Sequence, residues 1–282
     1  MTGFSVFTIG VIYVFSQVYN NPIILYVGAT IVAMQSFISY WYSDKIVLSI
    51  SGAMPIEAND NQDLYRLVEN LCITAGLPIP KIYIIDDLAP NAFATGRDPK
   101  HAAIAVTSGL LQRLNRSELE GVVAHELSHI GNRDILLSTI VVILVGFISL
   151  ISDLFLRMSL FGGRSRDDEN KSGGFLMLIY FAVMILSPVV GMLIHMTISR
   201  KREYLADASG ALLTRYPEGL ASALEKISEF PLSMTKASKA TAHLYIASPF
   251  KGKDAAGFVA GLFMTHPPIE ERVQILRGMD VK

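Results

Sequence analysis

Four long apolar stretches constrain the fold of this chain more than any other feature of its sequence. They are almost free of charged residues and cover 4–18, 22–42, 135–156 and 175–199. Since about 20 apolar residues span a bilayer, the last three are long enough to cross, and the first would need a thin bilayer or a neighbouring helix. Only 17% of the residues are charged, against about 25% in soluble proteins, which also favours a membrane protein.

The apolar stretches are arranged as two predicted hairpins. The turn sequence "YNNP" joins the first two, and the polar, glycine-rich loop 157–174 joins the last two. The amino terminus has no basic leading region and no small-residue cleavage site, so we expect a span there and not a cleaved signal peptide. We predict a mainly α-helical membrane protein with four transmembrane helices and a small β-sheet.

The hairpins and the polar parts between them define the predicted domains. Residues 1–43 form the first transmembrane hairpin and 135–199 the second. Residues 44–134 and 200–282 form the two halves of a catalytic domain, which we expect to come together on one side of the membrane. The second half is mostly helical by pattern, with Pro217 and Pro267 placed in the first turns of helices.

Short patterns predict the elements of the first catalytic half. Apolar residues at helical spacing indicate a helix over 58–75, capped by Asn59 or Asp60. Ser117 and Glu120 form a candidate capping box for a second helix that ends near Gly131 and Asn132. Three short runs bounded by proline, glycine and charged residues predict the strands of one sheet, namely "KIYIID" from Lys81, "NAFATG" from Asn91 and "AAIAVT" from Ala102.

The second helix carries the sequence "HELSH", which has the spacing of a metal site. His125 and His129 are four residues apart, so they lie on one face of a helix, and a single zinc ion can bridge them. Glu126 lies beside them as the candidate general base. The alternative is a pair of surface or structurally satisfied histidines. His243 and His101 have no such companions, and we interpret both as surface residues.

A catalytic zinc ion needs a third protein ligand and an open position. Glu203 in "EYLAD" is the candidate ligand, and Asp207, one turn later, could accept a hydrogen bond from a ligand histidine. Both could equally lie on a solvated helix face after the basic residues 200–202. If the last two apolar stretches form a hairpin, however, Glu203 returns to the side of the membrane where His129 leaves it.

These residues resemble the HtpX group of integral-membrane zinc endopeptidases, relatives of the CAAX prenyl endopeptidase. The resemblance covers essentially the whole chain and rests on "NAFATG", "HELSH", "EYLAD" and "THPPIEER" in that order. It implies a zincin fold of the gluzincin type. His125, His129 and Glu203 match the zinc ligands, Glu126 matches the general base, and Asp207 matches the carboxylate behind a ligand histidine.

The resemblance also implies roles for residues in the flanking motifs. The strand equivalent to "NAFA" lines the cleft and pairs with an extended substrate, as a free sheet edge can do. Asn91 could also donate to the scissile carbonyl. His266 matches the position that steadies the oxyanion, and Arg272 matches the residue that packs that loop. The alternative for His266 is a plain helix-start histidine ahead of Pro267.

We therefore predict a membrane-bound zinc endopeptidase with one zinc ion per subunit, although cobalt or manganese could occupy such a site. The expected substrates are misfolded or damaged membrane proteins and unfolded polypeptides, in quality control and stress response, and self-cleavage is also expected. Nucleic acid is not an expected partner. The alternatives are a specific processing protease of the prenyl-peptide type and a non-catalytic, zinc-bound membrane scaffold.

Flanking charges predict the orientation in the membrane. Lys45, Arg133 and the basic residues 200–202 flank the catalytic halves, which by the positive-inside rule places the site in the cytoplasm. Four basic residues in the loop 157–174 weaken this argument, although three acidic residues accompany them. We expect a multi-pass protein of the inner or plasma membrane.

Overall fold

The computed structural model describes residues 2–18, 20–144, 200–238, 240–250 and 267–280. These residues group into two compact units, one drawn from Met1–Tyr42 and Ile143–Leu193 and the other from Ser43–Val142 and Ile194–Lys282. The described part is mostly helical with one small mixed sheet. The parts of the last two predicted spans at 145–156 and 175–199 lie outside the described residues, as do the loop 157–174 and His266.

The first unit contains a helical hairpin. Helices α1 (Thr2–Val18) and α2 (Pro22–Ile50) are joined by a turn in which Asn20 adopts a left-handed φ of 46°. The helices approach closely, because a Cβ atom placed on Gly28 would lie 2.7 Å from the side chain of Ile12. Small residues at such contacts are typical of helix packing in membranes. The helical hairpin predicted from "YNNP" is present, and the crossing of a membrane by both of its helices stays a prediction.

Of the described helices, only α2 is by itself long and apolar enough to cross a membrane. The sequence indicated that this helix ends at the aromatic residues 40–42. In the structure it continues to Ile50. The helices at Arg116–Gly131 and Asp134–Leu144 meet the same criterion only when taken together, and they are bent by 86° at the break. Four transmembrane helices thus stay a prediction.

The second unit contains the remaining described elements. After α2 they are strands β1 (Ala53–Pro55), β2 (Lys81–Ile85), β3 (Ala92–Gly96) and β4 (Ala102–Thr107), and helices α3 (Gln62–Ala75), α4 (Ser108–Arg113), α5 (Arg116–Gly131), α6 (described over Asp134–Leu144), α7 (described from Arg200 to Thr214), α8 (Pro217–Glu229) and α9 (Ile269–Arg277). Short 3-10 turns cover Pro99–His101 and Ala242–Leu244.

The sheet has the order β1-β2-β4-β3. β2 and β4 are parallel, whereas β1 pairs antiparallel to β2 and β3 pairs antiparallel to β4. The three predicted strands are confirmed, and β1 was not predicted. β3 therefore lies at one edge of the sheet, which is the position that the pairing with a substrate requires.

Both faces of the sheet are buried, because successive side chains of a strand point to opposite faces. In β4, Ile104 and Val106 belong to one core with helices α3, α5 and α8. Ala103 and Ala105 belong to a second core with Val47 near the end of α2. This double burial fixes the position of the sheet beneath the helices that carry the candidate site.

Several helix starts differ from the predictions. The N-cap of α5 is Asn115, whose side chain accepts a hydrogen bond from the Glu118 amide while the Glu118 carboxylate accepts one from the Asn115 amide. The box predicted from Ser117 and Glu120 is thus wrong by two residues. α3 begins later than predicted, after Asn61. α9 begins at Ile269, so Pro267 precedes this helix and does not lie in its first turn as predicted. The end of α5 at Gly131 and the start of α8 at Pro217 are confirmed.

Candidate active site

Helix α5 brings the two histidines of "HELSH" together in the interior. The Nε2 atoms of His125 and His129 are 3.2 Å apart, and the rings are nearly perpendicular. His125 is fully buried and His129 is partly buried. Both imidazole rings therefore present the same nitrogen to one shared point.

Glu203 reaches the same point from α7. Its carboxylate oxygens lie 3.8 Å from the Nε2 atom of His125 and 3.6 Å from that of His129. The approach of α7 depends on Gly210, where a Cβ atom would lie 3.0 Å from the backbone nitrogen of His125. Glu203, Asp207 and Gly210 follow at helical spacing on one face of α7, so a close crossing at Gly210 delivers both carboxylates to α5.

The donor set fits a zinc ion. One ligand atom from each of His125, His129 and Glu203 can be chosen so that all lie within 4.8 Å of one another. Two ligands on a tetrahedral zinc ion, with bonds of about 2.0–2.1 Å, would be about 3.3 Å apart, which is close to the separation of the two Nε2 atoms. Two nitrogens and one carboxylate oxygen are also typical of a catalytic zinc site.

The other ring nitrogen of each histidine meets a carboxylate. Nδ1 of His125 lies 2.9 Å from Asp207, and Nδ1 of His129 lies 3.2 Å from Asp134 at the start of α6. An ionised carboxylate only accepts hydrogen bonds, so each Nδ1 carries a proton. Nε2 is then the metal-binding nitrogen of each ring, and His129 would lose the proton on that atom when a metal binds. Arg202 approaches Asp134 at 3.7 Å from α7.

The charges around the cluster favour a cation. Burial would raise the pKa of the Asp207 carboxyl, but Arg272 and His125 lower it to about 2. Burial lowers the pKa of His125 to about 4, which keeps that ring neutral. Burial also acts to lower the pKa of His129, yet Asp134, Glu203 and Glu126 outweigh it and raise that pKa to about 9. The carboxylates that favour a proton here would also favour a divalent ion.

Glu126 is buried beside the cluster and is suited to proton transfer. Burial is the main cause that raises the pKa of its carboxyl to about 7. A hydrogen bond from the main chain of Ala94 in β3 acts in the opposite direction. A group with a pKa near the working pH can both accept and return a proton. The same contact places Glu126 directly against the edge strand.

Arg272 joins α9 to the back of the site. Its Nε and Nη2 atoms donate to the two oxygens of Asp207 at 2.8 and 2.7 Å, and its Nη1 donates to the Ile246 carbonyl at 2.9 Å. The side chain is fully buried. Arg272 thus positions Asp207, which in turn orients His125. Its predicted role, packing the loop of His266, stays a prediction because that loop lies outside the described residues.

Asn91 lies at the start of β3, and the structure does not bring it into the cluster. Its Nδ2 donates to the Ala247 carbonyl at 3.0 Å, and its Oδ1 accepts from the Ala92 amide at 3.1 Å. The side chain is buried and pairs with the backbone of another segment. This geometry gives no support to Asn91 as a donor to the scissile carbonyl, and that role stays a prediction.

His243 was predicted to be a surface residue, and this prediction is wrong. It is 4% exposed and not a surface residue, and its Nε2 lies 3.1 Å from the Ser138 carbonyl. It lines the same cavity as the histidine pair. Its neighbours in sequence, "TAHLY", carry no metal or catalytic pattern, so only the tertiary contacts identify it. His101, by contrast, is exposed as predicted and is paired with Asp98.

The cluster opens on a small cavity of about 30 Å³, enough for ordered water beside the catalytic groups. Its described lining combines polar and apolar side chains from α5, α6, α7, β3 and the segment after Thr241: Ala94, His125, Glu126, His129, Asp134, Ile135, Ser138, Arg202, Glu203, His243, Leu244 and Ile246. The arrangement brings together a set of candidate metal ligands, a buried acid-base group and an edge strand, which suits metal-assisted peptide hydrolysis.

Known proteins are similar to this chain in sequence and in fold. Residues 58–280 match peptidase family M48. A "Protease HtpX homolog" of Caldanaerobacter subterraneus subsp. tengcongensis is 49% identical over 256 residues, covering 90% of this chain and 84% of that protein. A "Protease HtpX homolog" of Pyrococcus furiosus is 48% identical over 255 residues, covering 89% and 85%.

A solved structure has a similar fold. The crystal structure of S. mikatae Ste24p is similar with a TM-score of 0.52 and 21% identity, over 95% of this chain and 62% of that one. The family match covers most of the chain, and the two relatives are similar over more than four fifths of their lengths. This protein belongs to peptidase family M48, a family of zinc metallopeptidases, and is a membrane-associated metalloprotease.

Proposed function

We propose that this metalloprotease is a zinc endopeptidase that hydrolyses peptide bonds of misfolded or damaged membrane proteins at the cytoplasmic face. The observation that carries the proposal is the buried cluster of His125, His129 and Glu203 with Glu126 in the same cavity. A purely structural zinc site would have no use for a buried base beside it. A non-catalytic scaffold is therefore the weaker proposal.

In this proposal His125, His129 and Glu203 hold one zinc ion per subunit. When bound, zinc would act as a Lewis acid that makes water more acidic and polarises a carbonyl. Asp207 and Asp134 keep the proton on Nδ1 of each histidine and so direct Nε2 to the metal. Arg272 holds Asp207 in place through two hydrogen bonds.

Glu126 acts as the general base and then as the general acid. Its carboxylate accepts a proton from the attacking water, and the same group returns that proton to the amide nitrogen of the departing peptide. A pKa of about 7 suits both steps at neutral pH. His266 remains our proposed donor to the oxyanion. Loss of such a donor commonly lowers the rate about 100-fold to 1000-fold.

The placement of the site beside apolar helices supports a membrane substrate. His129 is separated from α6, the start of the third predicted span, by one short break. A site within one or two helical turns of the bilayer, about 10 Å, would meet segments of membrane proteins displaced to that surface. We propose four spans, a cytoplasmic catalytic domain built from 44–134 and 200–282, and a role in quality control.

Loss of the base tests the reaction. The full-length protein would be purified in detergent with a chelator, and then supplied with zinc and casein as a loosely folded substrate. We expect zinc-dependent cleavage of casein and of the chain itself by the wild type, and none by Glu126→Gln, although that variant still binds zinc. Glu120→Gln on the same helix is the matched control, because Glu120 pairs only with the surface residue Arg116 in the described structure. Cleavage by Glu126→Gln at the wild-type rate would exclude the mechanism.

Substrate class and orientation need separate tests. A destabilised membrane protein should be cleaved faster than its stable parent, whereas cleavage confined to a prenylated peptide would favour a processing protease. Protease added outside intact spheroplasts should cut the loop 157–174. Cutting only from the inside would reverse the proposed orientation.

A further inference from the structure

The edge strand β3 can offer hydrogen bonds to a substrate only through the groups that point away from β4. Along an antiparallel strand these groups belong to alternate residues. Ala92, Ala94 and Gly96 have main-chain groups that contact partners other than β4 in the structure. A substrate strand that ran along the whole of β3 would need all three positions.

The Ala92 position is already occupied by another part of the chain. The Ile246 amide donates to the Ala92 carbonyl at 2.9 Å. The side chain of Asn91 then pairs with Ala247 from both sides, because its Nδ2 donates to the Ala247 carbonyl and its Oδ1 accepts from the Ala247 amide at 3.4 Å. The same Oδ1 accepts from the Ala92 amide, so both main-chain groups of Ala92 are engaged.

The segment that occupies this position, Ala242–Ala247, is built into the core. All six of its residues are buried. Tyr245 is fully buried and its ring packs edge-on against Phe93 of β3, with centroids 5.1 Å apart. The Nη1 atom of Arg272 donates a hydrogen bond to the Ile246 carbonyl. Removing such a segment from the strand would expose an aromatic side chain and leave several buried polar groups without partners, which is costly.

The opposite end of β3 is also buried, beneath Thr139 of α6, but the outward-facing Gly96 amide has only a weak partner there. The Gly96 amide contacts the hydroxyl of Thr139 at 3.4 Å, a long distance for a hydrogen bond. The Thr139 hydroxyl also lies 3.0 Å from that of Thr95 and keeps this partner if a substrate takes over Gly96. Between the two ends, Ala94 lies directly against Glu126.

We propose that Ala242–Ala247 is a fixed wall of the cleft that ends the pairing edge at Ala94. An extended substrate then forms main-chain hydrogen bonds with β3 only from the Ala94 carbonyl towards Gly96, on one side of the cleaved bond. On the other side the substrate meets the side chains of His243, Leu244 and Ile246 and no strand. Asn91 is a positioning residue that pins the wall. This inference rests on the proposed function, because it takes Glu126 to mark the cleaved bond.

Replacing single substrate amides by esters tests the wall. An ester removes one N–H group and adds no bulk, and it makes the adjoining carbonyl a somewhat weaker acceptor. The rate therefore falls most where the lost N–H group is bonded to the enzyme. Starting from one unstructured peptide that the protein cleaves, each amide outside the cleaved bond is replaced in turn. We expect kcat/KM to fall about 10-fold at alternate positions on one flank, the worth of one main-chain hydrogen bond. Every position on the other flank should change it by less than about 2-fold.

Ester positions that lower kcat/KM at alternate residues on both flanks would overturn the proposal, because the substrate would then pair with β3 beyond Ala94. Amide hydrogen exchange gives a second, independent readout in zinc-loaded Glu126→Gln. Binding of the intact peptide should leave the protection of Ile246 and Ala247 unchanged, and increased exchange there would also overturn the proposal. Equal cleavage of the peptide by the wild type and Glu126→Gln would instead overturn the proposed function on which the wall depends.

Substitution of Asn91 separates its positioning role from a catalytic one. Asn91→Ala should speed amide hydrogen exchange at Ala247. It should also make one ester position sensitive on the flank where esters leave the wild-type rate nearly unchanged. Asn91→Asp keeps the acceptor for Ala92 and should shift both readouts less. A fall in kcat of about 100-fold or more, with the ester pattern and exchange unchanged, would assign Asn91 to the oxyanion and contradict the proposal. The ester scan of the wild type decides the matter even if Asn91→Ala does not fold.

Discussion

The guanidinium of Arg272 is bonded to both oxygens of Asp207, and neither side chain has more than 1% of its surface exposed. Asp207 in turn contacts Nδ1 of His125. The planar fork of arginine fits this two-point contact, whereas the ammonium group of lysine does not. The pair is therefore a rigid support for a candidate metal ligand and also a link to α9.

Arg272→Lys should weaken zinc binding while the protein still folds. The positive charge is kept, but the two-point contact with Asp207 and the bond to the Ile246 carbonyl cannot all be made. Loss of such support for a metal ligand commonly lowers metal affinity about 10-fold to 100-fold. Competition with a fluorescent zinc chelator measures this directly. Arg277→Lys, at an exposed ion pair of the same helix, is the control and should keep the wild-type affinity.

Gly210→Ala should destabilise the catalytic unit and weaken zinc binding together. The new methyl group would lie 3.0 Å from the backbone nitrogen of His125, so α7 must move away from α5 and take Glu203 with it. Overpacking of this kind costs about 1–3 kcal/mol in the free energy of unfolding. Gly131→Ala is the matched control, because its methyl group would meet only Leu77, at 3.7 Å or more. Equal thermal shifts in the two variants would argue against a close crossing at Gly210.

The stability difference between the wild type and Glu118→Gln should depend on pH. Burial acts to raise the pKa of Glu118, but the hydrogen bonds from Lys226, Ser222 and Asn115 outweigh it and lower the pKa below 4.5. Because the folded pKa is lowered, the carboxylate stabilises the fold fully above the unfolded pKa. That contribution is lost as the pH falls through the folded pKa.

Urea unfolding in detergent at several pH values measures the effect of Glu118→Gln. At pH 7 we expect a loss of about 1–2 kcal/mol, since the hydrogen bonds involve a charged group in a buried position. The difference from the wild type should shrink once the pH falls below about 4.5. Glu120→Gln, at an exposed helix pair, should cost less than about 0.5 kcal/mol at every pH. A pH-independent difference for Glu118→Gln would contradict the argument.

Zinc should stabilise the chelator-treated protein through its three candidate ligands. A ligand that binds only the folded state stabilises it by about 2.7 kcal/mol when its concentration is 100 times the dissociation constant. The melting temperature of the wild type should therefore rise with added zinc. Glu203→Gln should lose most of this rise, and Glu126→Gln should keep it. A full rise in Glu203→Gln would remove Glu203 from the set of ligands.

The sequence predicted the parts of the site that depend on local spacing. His125 and His129 share a face because any helix places residues four apart together, and the pattern of "HELSH" is visible without a fold. Glu203 and Asp207 were ambiguous alone, since helical spacing does not distinguish a buried face from a solvated one. The close crossing at Gly210 decides between these alternatives, and that contact joins residues far apart in the chain.

The features that the sequence did not predict depend on competition or on distant contacts. Asn115 and Ser117 are both good capping residues, and Asn115 caps α5 while the Ser117 hydroxyl bonds to the Asn115 side chain. α2 continues beyond the aromatic residues 40–42 to Ile50, and its Val47 and Leu48 belong to the second core. His243 is buried because its segment is held to β3 by Asn91, more than 150 positions earlier.

The bend of 86° between α5 and α6 has a consequence for where a substrate can be cut. If α6 stands upright in the bilayer as the start of the third proposed span, α5 lies nearly flat along the lipid surface. His125 and His129 are then at about the same depth. The site then lies along the lipid surface at one depth, so we expect a loop or a frayed helix end lying there to be cut without being pulled out of the lipid.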